Sequence, residues 1–498
     1  MRWCKRIWAC KVLTTVTLCI SSTTVQGQET HPMYAPPSSA YTSAADLNSV
    51  LTGLPPVSVS DRIVSAVSFN ANQPPTNWES WKAEVDAKLK KSADKEAAAK
   101  KKAAGKPSVK VGGRIMMDWA AFDQNEASRN QAGDMKNGTE FRRARLFLSG
   151  GAFDVVDYKI QFDFAEKENV RNSGGTGTTR LEQIDFKDVY ITVNELPLLG
   201  HVRVGHFKMP LGLEQLTSSK YITFMERSLP VDQGFEGRRT GLMAFDHNDA
   251  ESSTWAIGAF VTQIPENPPI FQNDGGGVSL SMRYTYLPWY DEGSGGRGLL
   301  HTGIAYNYGD VANGRSVRVR QRPESHLALR VVDTGNLDVP DFQYLGLETA
   351  FVYGPFSAQA EYNNFWLDRT GDPSAHFQGA YGYVSYFLTG ENRVYKRTSG
   401  TFDRVKPHEN FFRVRDADGD VQMGKGAWEV AYRYSFLDLN DDVIIGGYVR
   451  DHTVGLNWYL NPYTRLMFNY VNSQTTDYPG VAGIGRVNIF ETRVQIDF

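Results

Sequence analysis

The strictest pattern in this sequence is a two-residue alternation, and it is clearest at the end of the chain. Read backwards from Phe498, one row holds Phe498, Ile496, Val494, Thr492 and Phe490, and the other holds Asp497, Gln495, Arg493 and Glu491. Successive side chains of a strand point to opposite faces, so 487–498 is a strand with one apolar and one charged face. Two folds accommodate it. In a soluble sandwich the apolar face covers a core and the charged face meets solvent. In a transmembrane β-barrel the apolar face meets lipid and the charged face a water-filled lumen. A strand that ends on an aromatic residue with no tail is unusual in a soluble protein and favours the barrel.

The same alternation recurs upstream. Tyr158, Ile160, Phe162 and Phe164 oppose Lys159, Gln161 and Asp163; Ala144, Leu146 and Leu148 oppose Arg143, Arg145 and Phe147; Val189, Ile191 and Val193 oppose Asp188, Tyr190 and Thr192. Further strands fit 202–209, 241–247, 254–262, 278–287, 300–308, 344–353, 356–367, 377–388, 427–437, 449–460 and 464–472. Most are close to the ~9–11 residues that a tilted strand needs to cross a bilayer. A 12% aromatic content, 46 glycines and a mean hydropathy of −0.40 suit many short strands with aromatic girdles and polar loops. After the first 25 residues no run approaches the ~20 apolar residues of a membrane helix.

Strand number is testable, because a barrel with both ends in the periplasm has an even count. A plain scan finds seventeen candidates, including 326–332. The tight turns Gly354-Pro355 and Asn461-Pro462 should both face the periplasm. That phase holds only if 326–332 belongs to a long external loop, which leaves sixteen strands. It also puts 389–426 on the periplasmic side, an unusual length there, so this segment must fold into the lumen, pack beneath the barrel, or mark an error in the phase.

The barrel is expected over 106–498. Before it, 1–27 reads as a secretory signal: basic Arg2, Lys5, Arg6 and Lys11, an apolar stretch over 12–20, and a small-residue cleavage site ending at Gly27. Residues 28–76, rich in Ser, Thr, Pro and Ala, read as a disordered extension. Residues 77–105 read as a periplasmic helix. Asn77 is its cap, Trp78, Trp81, Val85 and Leu89 form a narrow stripe, and Gly105 and Pro107 stop it. It is either a short coiled coil between protomers, with a contact to the cell wall or another periplasmic partner, or a solvated spacer.

Composition excludes several chemistries. Cys4, Cys10 and Cys19 all lie in the signal, so the mature chain has no disulfide, thiolate metal site or cysteine nucleophile. Removing the signal takes the net charge from −3 to −7, so bulk charge does not suit a nucleic-acid binder. There is no P-loop and no nucleophile elbow, and His408-Glu409 lacks the second His of a zinc-protease motif. Asp416, Asp418 and Asp420 depart from the EF-hand order and read as a polar turn. No enzyme activity, cofactor or metal is expected.

The run VRVGHFKMPLGLEQLTSSKYITFMERSLP over 202–230 carries G-x-F-K-x-P, GLE, TSS-K and F-MERS in order. With FRRARL from Phe141, FLTGENRVY from Phe387, GAWEVAYRYSFLDLN from Gly426 and GLNWYLNP from Gly455, it resembles the phosphate-selective porin O/P family of bacterial outer-membrane channels. The resemblance covers about 109–498. It implies a sixteen-stranded barrel, a homotrimer in membrane lipid, and a third loop folded inward, here 210–239. The terminal Phe498 likewise resembles the signal read by the barrel-assembly machinery. In the family, basic residues on loop and wall attract small anions such as phosphate or polyphosphate. The candidates here are Arg143, Arg145 and Lys159 by alternation, Lys208 at a strand end, and Lys220, Arg227, Arg238 and Arg239 on the loop. Glu214, Glu226, Asp232 and Glu236 offset the loop cations. Arg offers phosphate a planar donor fork and Lys a point charge, and rings of charge set pore selectivity. Each cation could equally pair with a neighbouring carboxylate and merely hold the wall together. A general diffusion pore and a mainly structural, envelope-tethering barrel therefore remain as alternatives.

Overall fold

The computed structural model describes residues 106–498 apart from 166–169, 172–177, 180–183, 232–236, 263–276, 312–315, 413, 416–418, 420, 443, 479 and 481–482. Of residues 1–105 only Lys90 is described, so the signal, extension and helix expected there lie outside the described residues. So do Asp232, Glu236 and the Asp416–Asp418–Asp420 turn.

Sixteen strands among the described residues close into one antiparallel barrel in chain order. They are β1 Lys110–Gln124, β2 Gly138–Ala152, β3 Val156–Asp163, β4 Asp185–Leu196, β5 Gly200–Lys208, β6 Arg238–His247, β7 Ser253–Thr262 and β8 Gly277–Tyr290. Then follow β9 Gly298–Asp310, β10 Asp341–Tyr353, β11 Phe356–Arg369, β12 Asp372–Phe387, β13 Ala427–Asp441, β14 Ile444–Asn461, β15 Thr464–Thr476 and β16 Gly485–Asp497. The alternation that predicts the last strand holds. On β16 Glu491, Arg493, Gln495 and Asp497 are buried inward, while Phe490, Val494 and Ile496 are exposed outward.

β1 and β16 form the seam, with Arg114 opposite Asp497 and Met116 opposite Gln495. Phe498 extends it, its N–H donating to the Gly113 carbonyl while its own carbonyl accepts from Gly113 N–H at 2.8 Å. Glycine is required here. A Cβ on Gly113 would lie 2.6 Å from the Phe498 ring, and one on Gly112 2.4 Å from the Phe147 ring. The two rings therefore lie over bare backbone at the seam.

One end of the barrel carries short turns, such as Gly354-Pro355, where Gly354 adopts φ 55°. Aromatic residues gather near that end, including the Trp289–Phe351 pair (6.1 Å) and the stacked Trp428–Trp458 pair (4.7 Å). Such girdles sit where lipid headgroups meet water. The other end carries the longer loops. Residues 326–332 lie in one of them, the 311–340 connection, as the turn phase requires. Its small two-stranded sheets pair 316–317 with 337–338 and 320–321 with 332–333.

The 388–426 connection is at the short-turn end and folds into the mouth of the barrel, where Tyr395 and Phe402 pack with Leu213, Leu299 and Val352. Arg297 on the β8–β9 turn donates to the Gly390 carbonyl (3.0 Å), and Arg397 reaches Glu292 (2.8 Å) and the Glu251 carbonyl (3.2 Å). On the opposite rim Arg404 binds Asp497 and the Pro462 carbonyl, and Phe411 N–H donates to the Leu460 carbonyl (2.6 Å). The segment is a strap crossing the mouth from the β6–β9 side to the seam.

Candidate functional site

β5 ends at Lys208, and the chain then turns into the barrel interior. Residues 209–231 lie largely buried, with Met209, Leu211, Leu213, Phe224, Met225 and Leu229 almost fully so. The 311–340 loop enters from its own end, and Val317, Val319, Val331 and Val332 pack with Met209, Leu211 and Leu229 in one apolar cluster. Burying a strip of loop inside a barrel leaves backbone groups that need partners, and the far wall supplies them. Glu361 on β11 accepts from the N–H groups of Leu213 (3.0 Å) and Glu214 (2.6 Å), at the start of the helical turn Leu213–Leu216. Asn457 donates to the Thr223 carbonyl (2.7 Å), Arg465 to that of Ile222 (2.8 Å), and Arg493 to that of Met225.

The loop's acids are spent on the same docking. Glu214 accepts from Ser228 N–H (3.0 Å) and Oγ (2.8 Å), and from Arg433 (3.2 Å). Glu226 binds Arg142 (2.8 and 2.9 Å) and Arg493 (2.5 Å), with Arg143 at 3.6 Å. Burial would push the Glu226 carboxyl up, but Arg142, Arg143 and Arg493 hold it well below the ordinary carboxylate range.

With residues 209–231 against the β11–β16 wall, a cavity of about 1240 Å³ remains along the opposite wall. Arg322, His326 and Arg330 of the outer loop border it, and Lys396 to Asp403 of the strap also line it. Among the described residues its lining holds fifteen Lys and Arg against six Asp. Several are paired. Asp188 accepts from both Lys159 and Arg238 at 2.6 Å, and Arg145 binds Asp163 at 2.7 Å. Arg114 donates to Ser219 Oγ of the loop at 2.6 Å. Arg203 lies over the Tyr190 and Phe245 rings at 4.0 and 4.8 Å, which positions the guanidinium without neutralising it.

Of the cations picked from sequence, Arg143, Arg145, Lys159, Lys208, Arg227, Arg238 and Arg239 all line this cavity. Arg238 and Arg239 do so from β6, not from the loop, which ends one residue earlier. Lys208 also spans to the carbonyls of Leu216 and Thr217 (both 3.4 Å), at the negative end of the short helical turn. Arg227 similarly donates to the Glu214 (3.2 Å) and Thr217 (3.2 Å) carbonyls. Lys220 does not line the cavity: it reaches Asp497 at 3.3 Å, in a small hollow shared with Arg404 and Tyr463.

Sequence reasoning missed Arg114, Arg142, Lys187, Arg203 and Arg283, which also line the cavity. Arg114 had a signal, since it alternates with the outward Ile115 and Met117. Arg142 and Lys187 did not, because each sits at a bulge. Met116 pairs with Arg143 but Met117 with Phe141, so Arg142 is the extra residue. Likewise Ile160 pairs with Val189 and Phe162 with Phe186, leaving Lys187 and Asp188 opposite Gln161. A bulge breaks the two-residue period and turns neighbours to one side.

A closed antiparallel barrel with an outward apolar face, a polar interior and an inward-folded loop defines an outer-membrane channel protein of the porin class. The comparisons agree. The chain belongs to the family described as phosphate-selective porin O and P, whose profile matches residues 109–498. It is 27% identical over 426 residues to Porin O of Pseudomonas aeruginosa, covering 78% of this chain and 88% of that one. It is also 27% identical over 412 residues to an uncharacterized protein of Caulobacter vibrioides, covering 79% and 75% respectively. Among solved structures, the anion-selective porin from Comamonas acidovorans is similar at 12% identity and a TM-score of 0.48, covering 79% of this chain and 100% of that one. The short-turn end, with both barrel termini, is accordingly the periplasmic end.

Proposed function

We propose that the protein is a trimeric porin passing small anions by passive diffusion, with phosphate or polyphosphate the favoured solute. The observation that carries this reading is the cavity's charge balance, fifteen Lys and Arg against six Asp among the described residues. A low-dielectric wall focuses such an excess, draws anions in and repels cations. The phosphate-selective family supports the choice of solute. Anions move by steering, partial dehydration and hopping between cations, with no covalent step. Arg143, Arg145, Lys159, Lys208, Arg227, Arg238 and Arg239 are the anion-contacting residues in this reading, joined by Arg114 and Arg142. Lys220 holds the loop to the last strand instead. Phe498 is the contact for the assembly machinery, and residues 77–105 reach a periplasmic or cell-wall partner.

A second reading is favoured by the pairs themselves. Asp163 and Asp188 pair with three of these cations and offset two of the three charges, and a pore balanced in this way throughout would be a general diffusion channel. Reversal potentials in planar bilayers under a KCl gradient, followed by phosphate, separate the two. An anion-selective potential with chloride current blocked by low phosphate is the expected outcome. A potential near zero or cation-selective, indifferent to phosphate, overturns the proposal.

A further inference from the structure

The periplasmic mouth holds a group of side chains that the channel reading does not use. His201 opens β5, and Asp246 and His247 close β6. One ligand atom from each of the three lies within 4.8 Å of the others. His201 Nε2 stands 3.8 Å from Asp246 Oδ1, and His247 Nδ1 stands 3.3 Å from the same oxygen. All three side chains are about one-third exposed and line the cavity, so an ion can reach them.

The hydrogen bonds around His201 set its tautomer. Asn194 Nδ2 donates to Asp157 Oδ2 at 2.7 Å, which fixes the amide and turns its carbonyl oxygen away. That oxygen lies 2.8 Å from His201 Nδ1 and can only accept, so Nδ1 carries the proton. In the neutral ring Nε2 then presents a bare lone pair, and it faces a carboxylate oxygen. That oxygen already accepts from the His247 backbone N–H at 2.8 Å, and a proton or a cation between it and Nε2 would be shared by both acceptors. A metal-bound histidine characteristically gives its other N–H to a carbonyl or carboxylate in this way. The Phe245 ring, stacked on His201 at 5.3 Å, fixes the imidazole plane.

We propose that His201, Asp246 and His247 form a binding site for a divalent transition metal, Zn²⁺ or a neighbour in the same series, at the periplasmic mouth of the pore. Two imidazoles and one carboxylate suit Zn²⁺, with water in the remaining position. Ligands at about 2.0–2.1 Å around a tetrahedral ion lie about 3.3 Å apart, so the 3.3 and 3.8 Å separations, and a third no longer than 4.8 Å between the two imidazoles, close by side-chain rotation. Asp157, Asp249 and Glu251 lie nearby in sequence or across the turn, with Arg203 over the Phe245 ring and Arg397 beside Glu251 as the neighbouring cations.

The test uses the full-length protein in detergent, stripped with EDTA and dialysed, then titrated with Zn²⁺ alone against a chromogenic chelator. One strongly bound Zn²⁺ per protomer is expected. His201→Gln and His247→Gln should each weaken binding at least tenfold, and Asn194→Ala, which frees the His201 tautomer, by a smaller factor. His452→Gln, on the outer face of β14, should leave it unchanged. Heat-modified mobility on gels verifies that each variant is folded. No tight Zn²⁺ on the wild-type protein, or unchanged affinity in the folded His201→Gln/His247→Gln double variant, overturns the proposal. The titration is independent of anion selectivity, so its failure leaves the channel reading untouched.

Discussion

Asp188 is the sharpest lever on the pore, because one carboxylate serves both Lys159 and Arg238 at 2.6 Å. Asp188→Asn keeps the shape and a hydrogen-bond acceptor but removes the charge. An anion hydrogen-bonded to both cations would lie about 5 Å from position 188. Removing the repulsion there stabilises a bound monoanion by about 0.8 kcal/mol if the lumen screens like bulk water, and by about 3 kcal/mol at an effective dielectric constant of about 20. The Lys159, Arg238 and Asp188 side chains are all less than one-quarter exposed, which favours the upper half of that range. The phosphate concentration that half-blocks chloride current should therefore fall by about twentyfold to about a hundredfold. The assay is planar-bilayer conductance at about 0.1 M KCl, since about 1 M salt shortens the screening length to about 3 Å and would mask the effect. Half-block unchanged or weakened, in a variant with wild-type heat-modified mobility, would refute the reasoning. In that case the anion does not dwell beside these two cations.

Lys220→Ala should leave phosphate block unchanged, because Lys220 faces Asp497 and not the cavity; Asp497 keeps its bond to Arg404, so the barrel melting temperature should fall only slightly. Arg433→Leu removes a fully buried guanidinium from Glu214 and Glu324. Leaving those carboxylates unpaired costs about 3–5 kcal/mol, so loops 209–237 and 311–340 should become sensitive to limited proteolysis while the strands survive. Arg397→Ala takes away the strap's ties to Glu292 and the Glu251 carbonyl, and should raise single-channel conductance or its noise; conductance traces identical to wild type would show that the strap does not limit flow.

The strands were legible because lipid on one side and water on the other impose a period that no loop mimics over many segments. The phase was legible because Gly354-Pro355 and Asn461-Pro462 are too short to be anything but turns of one end. What alternation cannot show is a place where it fails: Arg142 and Lys187 face the lumen through bulges whose register depends on the partner strand. Nor does it show which acids are occupied elsewhere. Glu214 and Glu226 look like counter-charges of the loop cations in sequence, yet both are turned to the wall by Arg433, Arg142 and Arg493. Lys220 was misplaced for the same reason, since its partner Asp497 is 277 residues away in the chain.

The strap also fixes a sequence of events during assembly. It lies between β12 and β13 in the chain, yet Arg404 is held by Pro462 and Asp497, and Phe411 by Leu460. None of these partners exists as a surface until β14, β15 and β16 have paired. Closing so long a loop before its partners form has an entropic cost with no return. The second half of the strap is therefore a latch that can engage only on a finished barrel. A chain stalled before its last strand joins β1 would leave the periplasmic mouth open and this segment loose, where a protease of that compartment can find it.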